Sequence, residues 1–145
     1  MAGIHCGIKT DAAKEDLTLV LIDRPATAAG VYTQNKFAAA PVVLDRKRTP
    51  GQSIRAVIIN SGNANACTGQ RGMEDATEMC RATASACSIE AEEVLVMSTG
   101  VIGNFLPMDA IQSGITKVAN ALGNDAGAVL SAARGMLTTD SCTKT

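Results

Sequence analysis

The sequence predicts an α/β protein in which buried strands carry helices packed on them. Three observations predict it. Apolar runs of strand length recur at residues 17–22, 54–59 and 94–97, each too short and too continuous for an amphipathic helix. Residues 73–87 and 111–122 instead space their apolar side chains at three and four. The two patterns alternate along the second half of the chain, the arrangement that places helices over a sheet.

The composition bounds the function classes. With 145 residues, 46% hydrophobic and 19% charged, the chain is expected to form one domain with its own core. Tyr32, Phe37 and Phe105 are the aromatic residues, so that core is aliphatic. The net charge of −1 comes with no basic patch, which argues against a nucleic-acid partner. No apolar stretch approaches the roughly 18 residues of a membrane span, and no signal peptide is visible. The cysteines, Cys6, Cys67, Cys80, Cys87 and Cys142, are odd in number and fit no zinc spacing. They read as free thiols in a reducing cytoplasm, and neither metal nor cofactor is expected.

Residues 1–10 form an extended segment packed close to a neighbour. His5 beside Cys6 is not expected to be a catalytic pair, because adjacent residues of a strand face opposite ways. A polar turn over 11–16 leads to the first clear strand, 17–22, apolar enough to be covered on both faces. Short strands are predicted around Val31 and Tyr32 and over 41–44, where Pro41 could open a strand, followed by a solvated loop over 45–53. The strand at 54–59 runs into an asparagine-rich loop. In the helix at 73–87, Met73, Ala76, Cys80 and Cys87 share a face, so both cysteines read as small core residues. Pro107 suits the start of a helix carrying Ile111, Ile115, Val118 and Leu122, ended by Gly123. Asn124 or Asp125 caps a last helix with Val129, Ala132, Ala133 and Met136. Residues 137–139 look like the beginning of another strand.

Two stretches carry chemistry. After the strand at 94–97 the chain reads Ser98-Thr99-Gly100-Val101-Ile102-Gly103. Gly100 and Gly103 permit positive φ and close approach of a ligand to the backbone, a setting suited to an anion or a developing oxyanion. The other stretch, Asn60-Ser61-Gly62-Asn63-Ala64-Asn65-Ala66-Cys67-Thr68-Gly69, alternates asparagines with small residues. Its asparagines could offer neutral donors and acceptors to a substrate or build an Asx-rich structural turn.

Together these two motifs closely resemble the ornithine acetyltransferase family, the bifunctional glutamate N-acetyltransferases of arginine biosynthesis. Ala2-Gly3-Ile4, Ala29-Gly30-Val31 with Thr33, Ala39-Ala40-Pro41-Val42, Leu106-Pro107-Met108 and Thr138-Thr139-Asp140 fit it too, in order along the whole chain. The resemblance implies a self-processed fold, incomplete here, of the kind with an N-terminal nucleophile. A precursor cuts itself ahead of a threonine, which becomes the nucleophile of a second (β) chain. It implies acetyl transfer from N-acetylornithine to glutamate, with acetyl-CoA as a further donor in some members, and an α2β2 heterotetramer. Carried onto this sequence, the catalytic oxyanion-hole residues are Thr99 and Gly100. The substrate-binding residues are Thr138 or Thr139, with Thr138 preferred, and Lys144. The family's Thr-x-Pro-Lys is replaced by Ser141-Cys142-Thr143-Lys144, and no cleavage site or nucleophile lies within these 145 residues. The chain is therefore expected to be most of the α chain, inactive alone. The alternatives are a non-catalytic, small-molecule-binding remnant and a related self-processed hydrolase.

Overall fold

In the computed structural model, which describes residues 1–139, four strands form one sheet in the order β1-β2-β3-β4. Strand β1 (Ala2–Ile4) pairs antiparallel with β2 (Leu17–Ala28), and β2 pairs antiparallel with β3 (Gly51–Asn63). Strand β4 (Val94–Val101) lies parallel to β3, so the chain must cross over between them. Helix α2 (Gly69–Cys87) and a short 3-10 turn (Ala91–Glu93) make that crossover. Helices α1 (Ala40–Arg48), α3 (Met108–Asn120) and α4 (Ala126–Gly135) complete the described elements.

Register sorts the two faces of the sheet. Leu17, Leu19, Ala56, Ile58, Val94 and Val96 align on one face, and all are buried with Ala76, Met79 and Cys80 of α2 and Ile111, Ile115 and Val118 of α3. This aliphatic layer is the core. The opposite face carries Thr18, Ser61 and Thr99. There α4 is tied to the sheet: the Thr18 hydroxyl donates to the Ala132 carbonyl (2.8 Å) and the Ser61 hydroxyl to the Gly135 carbonyl (2.6 Å). Asp125 caps α4, accepting from the Ala128 N–H at 2.8 Å. Helix α3 begins just after Pro107, whose carbonyl accepts from Ile111 N–H.

Several sequence expectations are corrected. Residues 41–44 are helical, not a strand. Pro41 sits in the first turn of α1, and Arg46, Lys47 and Arg48 occupy its last turn, where cations complement the helix dipole. The apolar run Val42-Val43-Leu44 is compatible with either state by periodicity alone. The residues beyond it are not one loop, because α1 continues to Arg48 and β3 starts at Gly51. No strand forms at Val31 and Tyr32: β2 ends at Ala28, and Val31 is fully exposed. Helix α2 begins at Gly69, four residues before the predicted start at Met73. Residues 137–139 are irregular rather than strand, with a bend at Thr138 and Thr139 and the Leu137 N–H closing onto the Arg134 carbonyl. Strand β2 is buried on both faces at 17–19 but only half-buried at 20–22.

Candidate active site

Strand β4 does not break after Met97. It runs on through Ser98, Thr99 and Gly100 to Val101, beside the Asn-rich end of β3. Thr99 aligns with Ser61 and Gly100 with Gly62. Gly100 has φ +136°, and a Cβ there would lie 2.3 Å from the Gly62 carbonyl carbon. Only glycine meets both conditions. Gly103, also at positive φ (+87°), donates its N–H to the Ala66 carbonyl.

The three asparagines hold this end of the sheet in shape. Asn60 is buried, accepts the Ser98 hydroxyl proton (2.6 Å) and donates to the Asn63 carbonyl (2.8 Å). Asn63 donates to the Asn104 and Phe105 carbonyls and accepts from the Asn65 N–H. Asn65 donates to the Gly72 carbonyl and accepts from the Thr68 hydroxyl. Of the two readings open from sequence, the structural turn describes these side chains. Their donors and acceptors are used within the protein, as buried amides require.

An open cleft of about 690 Å³ lies at this end of the sheet. Thr99, Gly100 and Val101 form one wall. Thr138 and Thr139, delivered by the end of α4, form another, and Ile8, Lys9 and Lys14 a third. The described residues inferred from the resemblance, Thr99, Gly100, Thr138 and Thr139, thus share one cavity. All four are exposed to it. Lys144 lies outside the described residues.

The third wall was not legible in the sequence, where residues 11–16 read only as a polar turn. Its organiser is Asp16, buried at the head of β2. The Asp16 carboxylate accepts four backbone N–H groups, from Cys6 (2.7 Å), Gly7 (3.2 Å), Ile8 (2.8 Å) and Lys9 (2.9 Å). Burial alone would raise its pKa, but the donated N–H groups outweigh it and hold the carboxyl below its ordinary range. His5 Nδ1 sits 3.2 Å from the same carboxylate and 2.9 Å from the Lys14 carbonyl. Cys6 is no nucleophile: burial, with the Asp16 charge beside it, pushes its thiol up to about 12, and an un-ionised thiol reacts poorly. Lys9 is shifted down by burial, against the pull of Asp16. Among the described residues no cluster of His, Cys, Asp and Glu could hold a metal ion, and no helix is long and apolar enough to cross a membrane.

Chemically, the cleft joins a tight glycine turn and hydroxyls on one side to a wall of mixed charge on the other, where Lys9 and Lys14 stand with Asp11 and Lys14 Nζ lies 3.5 Å from the Asp11 carboxylate. That combination suits a small polar substrate whose reacting carbonyl develops negative charge. Comparison with known proteins decides the family. The ArgJ family model matches residues 1–145. The chain belongs to the ArgJ family. It is 46% identical over 144 residues to the arginine biosynthesis bifunctional protein ArgJ of Rhodopirellula baltica, and 50% identical over 144 residues to that of Symbiobacterium thermophilum. Each alignment covers 99% of this chain but 35% of the relative, so the chain spans about a third of the length of these curated ArgJ proteins. Among solved structures, it is similar to ArgJ of Bacillus halodurans (TM-score 0.87, 39% identity, 97% of this chain and 72% of that one). It is also similar to the ornithine acetyltransferase of Mycobacterium tuberculosis complexed with ornithine (TM-score 0.93, 40% identity, 97% of this chain and 76% of that one). The ArgJ fold is therefore the α/β fold of this chain.

Proposed function

We propose that this chain supplies the oxyanion hole and part of the substrate pocket of an acetyltransferase that moves acetyl from N-acetylornithine to glutamate in arginine biosynthesis. The observation that carries the reading is the shared cleft, in which Thr99 and Gly100 face the segment bearing Thr138 and Thr139. The ornithine bound by the Mycobacterium tuberculosis relative supports the substrate class. In this reading the nucleophile is the N-terminal threonine of a β chain cut from the same precursor, paired with this chain in an α2β2 assembly.

The chemistry follows from acyl transfer. The threonine oxygen bonds to the acetyl carbonyl carbon, and the carbonyl π electrons move onto oxygen. The Thr99 hydroxyl and the Gly100 N–H donate to that oxyanion. Because they are held before reaction, they need no reorganisation as charge develops. Collapse breaks the C–N bond, and the amine leaves as ornithine after taking a proton. The amine of glutamate then attacks the acetyl ester, through a second oxyanion in the same place. Thr138, with Thr139 beside it, contacts the amino-acid portion of the substrate, and Lys144 meets its carboxylate. Acetyl-CoA serves as a further donor if the same ester forms from its thioester. The free thiols of Cys6, Cys67, Cys80 and Cys87 fit a reducing compartment, the cytoplasm in this reading.

The test is acetyl transfer from N-acetylornithine to glutamate by the complete protein carrying this sequence. Thr99→Ala is expected to lower kcat by roughly 10²–10³-fold, the effect of losing one oxyanion donor. An unchanged kcat removes Thr99 from the role, and release of free acetate without acetylglutamate points to a hydrolase instead.

A further inference from the structure

We propose that Lys9 is a positioning residue of this site, a strap that fixes the Thr138–Thr139 segment against the glycine turn carrying Thr99 and Gly100. The proposal rests on the acyl-transfer reading and adds to it a residue from the third wall.

Lys9 is held at both ends. Its backbone N–H donates to the buried Asp16 carboxylate at 2.9 Å. Its ammonium donates to the Glu15 carbonyl at 2.8 Å and to the Leu137 carbonyl at 2.7 Å. Leu137 is the residue before Thr138. It lies past the end of α4, so its carbonyl has left the helical hydrogen-bond ladder and needs an outside donor. The stem of Lys9 runs over Gly62, with Cγ 3.2 Å from the place a Cβ would occupy. Gly62 is the register partner of Gly100. One side chain thus touches both halves of the site, through its methylenes at the glycine turn and its ammonium at the threonine segment.

A lysine gives up considerable rotamer freedom when fixed in this way. A donor for one helix-end carbonyl would not need to cross the site to reach it. Lys9 also lines the cleft itself. An ammonium has three donors, and carbonyls of the described residues take two of them. The arrangement couples the position of Thr138 to the loop that Asp16 organises. Substrate affinity, rather than the chemical step, is the quantity such a strap controls.

The experiment compares Lys9→Met and Lys9→Arg with the native complete enzyme, measuring steady-state acetyl transfer and amide exchange. Lys9→Met is expected to raise KM for N-acetylornithine by roughly tenfold with kcat within about twofold, the signature of lost uniform binding. Lys9→Arg, which retains donors at the end of a long stem, should recover most of that loss. The Thr138 and Thr139 amides should exchange about tenfold faster in Lys9→Met while those of α2 keep their protection. Native KM together with native exchange at 138–139 overturns the proposal. So does a joint fall in kcat and thermal midpoint with KM unmoved, which would make Lys9 a stabilising residue only. Lys9→Gln replaces Lys9→Met if that variant does not fold. Failure of the native enzyme to transfer acetyl at all would sink the acetyltransferase reading, and the exchange data would still decide the strap.

Discussion

At Gly100 backbone conformation and packing make the same demand. Its φ of +136° is one that L side chains rarely adopt, and β3 backbone fills the space a side chain would need. Gly100→Ala is expected to destabilise the fold by at least roughly 1–3 kcal/mol from backbone strain alone, with the steric conflict adding to it. Urea denaturation of the native protein and Gly100→Ala measures this. Stability within about 0.5 kcal/mol of native would mean that the β3–β4 junction relaxes around a methyl group. Asp16 shows the complementary behaviour of a buried charge. Burial disfavours its ionised form, and four directed N–H groups reverse the balance. The sequence displayed Gly100 because a glycine after Ser-Thr at a strand end has few other uses. It did not display Asp16, because an aspartate in a polar turn is ordinary until the turn folds back over it.

At the scale of elements, α1 shields the open edge of the sheet. β4 is an edge strand, and unpaired edge groups invite association. Asp45 of α1 accepts the Val96 N–H at 3.1 Å, and Arg48 donates to the Val94 carbonyl. Burial raises the Asp45 pKa from 3.8 to about 6, against the opposing pull of the Val96 N–H and Arg48. The folded state therefore binds this proton more tightly than the unfolded state. The resulting stabilisation is complete below pH 3.8 and is lost as pH rises through about 6. Asp45→Asn keeps an oxygen for Val96 and removes the titration. Relative to native, its stability should change less between about pH 4 and about pH 7.5, and it should be equal or greater at the upper end. Denaturant titrations of both proteins across that range check the sign. A steeper dependence in Asp45→Asn would show that the carboxylate is stabilised in the fold. The helix that carries Asp45 was misread as a strand because Val42, Val43 and Leu44 are strand formers by propensity. The contacts of Asp45 and Arg48 with β4, which favour the helix, are long-range and leave no local trace.

The whole molecule presents a sheet covered by α2 and α3 on one face and only in part by α4 on the other. Met97, Val101, Ile102 and Phe105 are exposed along β4 and its exit. Scattered exposed apolar residues are normal, but these four follow one strand edge and its continuation. The 145-residue chain by itself is expected to self-associate. Sedimentation velocity over a range of concentrations tests this, and a monodisperse monomer with a cooperative unfolding transition would refute it. The same open side holds the cleft, so the surface beside the proposed acyl-transfer site is the surface that an accompanying chain would cover.

What the sequence determined by itself was local or repeated. The aliphatic runs at 17–22, 54–59 and 94–97 placed three strands, and the spacing of Ile111, Ile115 and Val118 placed α3, because periodicity reflects a buried face directly. The motifs around Asn60 and Thr99 were long enough to point to a family. Tertiary structure alone decided what depended on distant partners. It assigned the asparagines to structural hydrogen bonds, since an amide's role depends on what lies within reach of it. It made 40–48 a helix and 29–39 irregular, since an extended segment becomes a strand only where another strand can pair with it. It also brought Lys9 between Gly62 and Leu137, residues 128 positions apart at the Lys9–Leu137 contact, and no local pattern encodes a contact that exists only after the chain has closed on itself.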